Sequence, residues 1–218
     1  MSLPAAVLDH LVVAAYTLDQ GMTYVQDRLG VRMTGGGAHI AMGTHNRVLK
    51  LGHGQYLEVI AIDPGGRRPD SPRWFNLDDS GLQGWLKVRP RLITWVARTD
   101  AIDTLAPGIF NQHVKVRPMQ RDSLRWRFAF TADGSMPGGG LIPHLIQWEG
   151  DIHPTEKMED VGCRLLNLEG AHIDPSSVQR AVSSMGLDQA ITIQPVSKQH
   201  PPGLSARIKT PIGVVVLG

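Results

Sequence analysis

The order β-α-β-β-β appears twice in this chain, about 85 residues apart, and an internal repeat of supersecondary structure restricts the accessible folds more than composition does. The first copy opens with the apolar run Leu8-Asp9-His10-Leu11-Val12-Val13-Ala14. Thr17 is placed to cap a helix through Gln20, Met22, Tyr24, Val25 and Leu29, and Gly30 sits where a helix-terminating glycine belongs. Val31–Thr34 reads as a strand, Gly35-Gly36-Gly37 as a bend, Asn46–Leu51 as a strand, and Tyr56–Ile62 as a closing strand stopped by Asp63-Pro64. The second copy runs through a strand at Leu92–Ala97, a helix over Asp100–Phe110, and strands at Val114–Pro118, Leu124–Phe130 and Leu141–Trp148. A weaker third copy fills the tail: strand Cys163–Leu168, helix Ser176–Met185, and strands Ile191–Val196, Ser205–Lys209 and Val214–Leu217. The fold class is therefore α+β. Paired modules occupy residues 5–155 (about 6–64 and 91–150), and a third, degenerate βαβββ-like extension packs on them over 156–218. Between the pair, the connector 65–90 carries Trp74, Phe75, Leu77, Leu82 and Trp85, a spacing that suits short helices packed outside the sheet.

Composition removes several classes of function. The 218 residues can bury a substantial core. Net charge is +2, with no dense basic run, which argues against a nucleic-acid partner. No apolar stretch is long enough to span a bilayer, and the N-terminus lacks the charged-then-apolar signature of a signal peptide. The single cysteine, Cys163, cannot form an internal disulfide and suits a reducing compartment, the cytoplasm.

Three polar residues stand out in apolar strands. Glu58 lies mid-strand on the face of Tyr56, Ile60 and Ile62, where a carboxylate has to be ion-paired, metal-bound or neutralised. His10 shares a face with Leu8, Val12 and Ala14; a core histidine of this kind is either a satisfied hydrogen-bonder or a ligand. Aligning the ends of the two closing strands sets His144 opposite Glu58. Two histidines and one carboxylate, with coordination positions left open, form a catalytic metal pattern. On the glycine-rich stretch between strands two and three, His39, His45 and Asn46 are placed to contact substrate, the two histidines as an acid–base pair, or else the histidines are simply exposed. His53, His113, His153, His172 and His200 read as surface residues.

Leu8-Asp9-His10-Leu11-Val12-Val13, Tyr56-Leu57-Glu58-Val59-Ile60, Gly35–His39 with Met42–Asn46, and Ile142–Trp148 together resemble the vicinal oxygen chelate superfamily, in its glyoxalase-like domain subgroup. The resemblance covers residues 7–155 well and the tail loosely. It implies paired modules bent into a U-shaped, cup-like mixed sheet with helices outside, around a divalent metal (Fe, Mn, Ni or Zn). Strands one and four of each module supply the ligands in that superfamily. Here they would be His10, Glu58 and His144, since the position matching His10 in the second module falls near Ile93. The implied activity is a metal-dependent lyase, isomerase or dioxygenase acting on a small oxygen-rich molecule, with Glu58 as ligand or base. The alternative is a metal-free protein that binds or sequesters a small amphipathic molecule, with Trp95, Trp126 and Trp148 as an apolar floor and His10 hydrogen-bonded to Glu58. A homodimer is implied by analogy only.

Overall fold

A computed structural model describes residues 5–109, 114–150 and 153–218. Phe110 and His113 of the sequence reading lie outside the described residues. The first module comprises β1 (Val7–Ala14), α1 (Leu18–Leu29), β2 (Gly35–His39), β3 (Thr44–Gly52) and β4 (Gln55–Ile62). After the connector, which holds α2 (Ser80–Val88), the second comprises β5 (Arg91–Arg98), α3 (Ile102–Ile109), β6 (Val114–Arg121), β7 (Leu124–Thr131) and β8 (His144–Trp148). These strands form one curled eight-stranded sheet in the order β2-β3-β4-β1-β5-β8-β7-β6. In each half the first strand runs parallel to the last, β1 beside β4 and β5 beside β8, and the halves join through antiparallel β1 and β5. This is the cup-like mixed sheet of paired modules that the internal repeat and the resemblance imply.

The helices form where their ends are signalled. The Thr17 side chain accepts a hydrogen bond from the Gln20 backbone, and Gly30 ends α1 in the left-handed region. Leu18, Gly21, Val25 and Leu29 make its buried stripe. A β-carbon at Gly21 would stand 2.3 Å from a Val59 methyl, so the missing side chain lets α1 rest directly on β4.

Both faces of the central strands are buried, which is why they read as continuous apolar runs. On the convex side Leu11, Val13, Leu57, Val59, Trp95 and Leu145 join a core completed by residues of α1, α3 and the tail. On the concave side Val12, Ile60, Ile93, Val96, Phe128 and Ile146 meet Trp74, Phe75, Leu77, Leu82 and Leu86 of the connector. The connector was expected to lie outside the sheet; Trp74, Phe75, Leu77 and Leu82 are instead buried with the concave face, while Trp85 is exposed.

Two further corrections concern local structure. Val31–Thr34 is not a strand, and the glycine run after it is: β2 pairs with β3 from Gly35 to His39. Gly36 has φ +129°, and a β-carbon there would lie 2.1 Å from the Asn46 carbonyl oxygen, so only glycine admits the approach. His39, His45 and Asn46 consequently sit on paired strands and not on a loop. The tail forms β9 (Arg164–His172), α4 (Pro175–Ser184), β10 (Thr192–Pro195), β11 (Gly203–Thr210) and β12 (Gly213–Leu217). Its element order matches the modules but its pairing does not: β9 is interior in a separate sheet ordered β10-β9-β11-β12.

Candidate functional site

The curl of the sheet leaves a narrow pocket on the concave side, lined among others by His10, His39, Asn46, Glu58, Trp74, Arg121, Trp126 and Trp148. Its acidic end is built on β1 and β4. The β1–β5 register jumps between Leu8 and His10, leaving Asp9 without a partner on β5. Such a bulge re-aims side chains that strict alternation would set on opposite faces. Asp9 is fully buried. Its Oδ1 lies 2.6 Å from His10 Nδ1, and its Oδ2 accepts from Trp148 Nε1 at 3.0 Å and stands 2.9 Å from His153 Nε2. Burial works to raise the Asp9 carboxyl, but the hydrogen bonds from His10 and His153 outweigh it and hold the group below the usual carboxylate range. An ionised Asp9 fixes the proton of His10 on Nδ1. That leaves Nε2 toward Glu58, whose Oε2 is 3.7 Å away. Tyr56 stacks on the imidazole at 4.4 Å, and burial first, then Asp9 and Glu58, raises its phenol well above 10.

Asn46 divides this end from a basic one. Its Nδ2 donates to Glu58 Oε1 at 2.6 Å, while its Oδ1 accepts from the Gly37 backbone at 3.0 Å and from Arg121 Nη1 at 2.7 Å. Arg121 ends β6, at the opposite edge of the sheet from β2, so this contact bridges the two modules across the pocket. His39 lies between, with Nδ1 3.1 Å from Thr44 Oγ1 and its edge toward Trp74 at 5.0 Å between ring centres. Burial, then the Arg121 charge, lowers its pKa to about 3, so it is neutral near pH 7.

A profile of the glyoxalase-like domain matches residues 8–186, most of the chain. This chain belongs to the glyoxalase-like domain family. A search of curated sequences returned no match. Among solved structures, the methylmalonyl-CoA epimerase of Mycobacterium tuberculosis is 18% identical, covering 72% of this chain and 97% of its own, with a TM-score of 0.42. A variant of the Streptomyces coelicolor methylmalonyl-CoA epimerase in complex with 2-nitronate-propionyl-CoA is 19% identical over 67% of this chain and 99% of its own, with a TM-score of 0.43. A hypothetical protein of Bacillus halodurans reaches 14% identity over 67% of this chain and 96% of its own, at 0.39.

Within this glyoxalase-like domain the residues singled out from sequence separate into four groups. His10, His39, Asn46, Glu58, Trp126 and Trp148 line the pocket. His144 is apart from them: it is 1% exposed, its Nδ1 is 3.3 Å from the Ala129 carbonyl oxygen, and it packs against Phe75 and Phe128. Burial lowers its pKa to about 4. Trp95 belongs to the convex core, donating Nε1 to the Leu141 carbonyl at 2.8 Å. His45, one residue before Asn46 on β3, is not among the pocket residues and is partly exposed. Sequence reasoning missed Asp9, Arg121, Trp74 and His153. The last was expected on the surface, yet its side chain is only 14% exposed and touches Asp9.

A resident divalent ion of the kind the superfamily resemblance implies needs several convergent donors. His10 and Glu58 supply two. The cup face of β5 offers Ile93 and Val96, His144 is held in aromatic packing, and among the described residues no three His, Cys, Asp or Glu side chains are grouped to hold an ion. The donor set does not fit a resident metal.

Proposed function

We propose that the pocket is an active site for proton transfer on a small oxygen-rich molecule, an isomerase or lyase chemistry carried by His10. The observation that supports this reading is the 2.6 Å contact between Asp9 and His10 Nδ1, which leaves Nε2 as the proton-accepting atom inside a walled hollow. In the forward step Nε2 takes a proton from a substrate carbon beside a carbonyl, and the electron pair moves onto the carbonyl oxygen. Asp9 stabilises the imidazolium that forms. Return of the proton to a neighbouring atom or the other face completes an isomerisation, and loss of a β-substituent instead makes a lyase. Glu58, tethered by Asn46, is the second group able to hold the proton.

A cytoplasmic setting belongs to this reading, in keeping with the buried free thiol of Cys163. No helix among the described residues is long and apolar enough to cross a membrane.

The test is exchange of substrate C–H for deuterium in D₂O, followed by NMR across small 2-oxo and 2-hydroxy compounds. His10→Gln is expected to lower the rate by about 10²–10⁴-fold. Saturable binding without exchange would favour the sequestering alternative. Stoichiometric Mn, Fe, Ni or Zn, retained by wild type after reloading and lost in His10→Ala, would restore metal-dependent chemistry and overturn the present reading.

A further inference from the structure

The basic end of the pocket holds hydrogen-bond donors with nothing to bind. Trp74 is 4% exposed and its Nε1 is buried; the Nε of Arg121 is buried too. Among the described residues neither atom has a hydrogen-bond partner, although both side chains line the same narrow pocket. Buried donors left unsatisfied cost about 1–3 kcal/mol each, more when charged, and both of these belong to side chains that line one pocket, where an acceptor would satisfy them. Arg121 Nη1 donates to the neutral amide oxygen of Asn46 at 2.7 Å and stands 3.5 Å from Nε2 of the neutral His39, and no ion pair between Arg121 and a carboxylate occurs among the described residues. A planar guanidinium with its Nε–H unused is matched by a carboxylate, which accepts two parallel hydrogen bonds.

The surroundings hold the guanidinium to this task. The Arg121 stem passes over Gly37, where an added β-carbon would lie 3.1 Å from Cδ and 3.6 Å from Nε. Neighbouring His39 stays neutral and does not compete for an anion. Asn46 separates Arg121 from Glu58, so the pocket has an anion-accepting end and a proton-accepting end a few ångströms apart.

Resting on the proton-transfer reading above, we infer that the ligand is a small carboxylate, its carboxyl group bound by Arg121 and Trp74 and its reacting carbon turned toward His10 and Glu58. The pocket's narrowness restricts it to a few carbon atoms. This makes Arg121 and Trp74 specificity-determining residues.

The experiment is a titration of the full chain with pyruvate, glycolate and propionate, against propionamide at matched ionic strength, read by the indole N–H resonances of the five tryptophans in ¹⁵N NMR. Trp74→Phe identifies its own signal by loss. The carboxylates are expected to shift the Trp74 resonance saturably and propionamide to leave it in place. Arg121→Met should weaken carboxylate binding by about tenfold or more, Arg121→Lys by less, and Gly37→Ala measurably, by displacing the arginine. His10→Gln should keep the titration, so loss of proton exchange and loss of carboxylate binding are seen separately. Equal response to propionamide, no response to any of the three carboxylates, or unchanged affinity in a folded Arg121→Met variant each overturns the inference.

Discussion

Asp9 shows how much one buried carboxylate can organise. It touches His10, Trp148 and His153 at once, and it stays ionised because their hydrogen bonds outweigh its burial. Asp9→Asn keeps the shape but can hold His10 in the wrong tautomer. Exchange activity is expected to fall on the order of 10²–10⁴-fold, as measured by deuterium incorporation, with a shifted pH profile. His144 carries a different expectation. Burial puts it at about 4, and His39 at about 3, both below the 6.5 of a free imidazole. The unfolded chain therefore binds more protons than the folded one below about pH 6.5, so stability is complete above that pH and drains away toward pH 4. Urea midpoints measured from pH 7 to 4.5 should fall accordingly, and His144→Phe, which keeps an aromatic ring beside Phe75 and Phe128, should flatten the decline. Glu58 and His10 were legible in sequence because each interrupts an apolar strand. Asp9 was not, because alternation sends neighbours to opposite faces and a bulge leaves no mark in the pattern. Arg121 was hidden differently: its partner Asn46 lies 75 positions away, and arginines on an edge strand look solvated.

Among the elements, β2 is where sequence and structure diverge most. Three glycines in succession show no side-chain period, so the run reads as a bend, and the preceding Val31 and Met33 take the strand signal. Pairing with β3 decides the matter, because a bare backbone can approach Asn46 closely. Gly36→Ala is expected to destabilise the protein by about 1–3 kcal/mol, seen as a lower urea midpoint, and to reduce activity together with stability, since the strand it would push away carries Asn46. By contrast α1 was readable nearly to the residue, because its cap, its apolar stripe and its terminating glycine all agree. The connector was half readable: its aromatic residues were evident, but periodicity does not tell which side of a sheet a helix covers.

For the molecule as a whole, the tail is not an appendage. Leu168, Val178, Val182, Leu204, Ile208 and Leu217 share one core with Leu11, Val59 and Trp95. A β-carbon at Gly170 would stand 2.7 Å from Leu141, which shows how closely the second sheet seats. Thermal unfolding is expected to give one calorimetric transition for the entire chain, and deletion of residues 163–218 to yield aggregated or unfolded protein on size-exclusion chromatography.

Because Trp74 and Phe75 wall the chamber from the chain segment that merely joins the modules, the frame and the ceiling are separate pieces of sequence. The barrel staves and their polar groups can stay as they are while insertions or deletions in that joining segment change how large a guest is admitted. Such a division ties the size of the chamber to a segment outside the sheet strands, and of the pocket's polar groups only Trp74 would move with it.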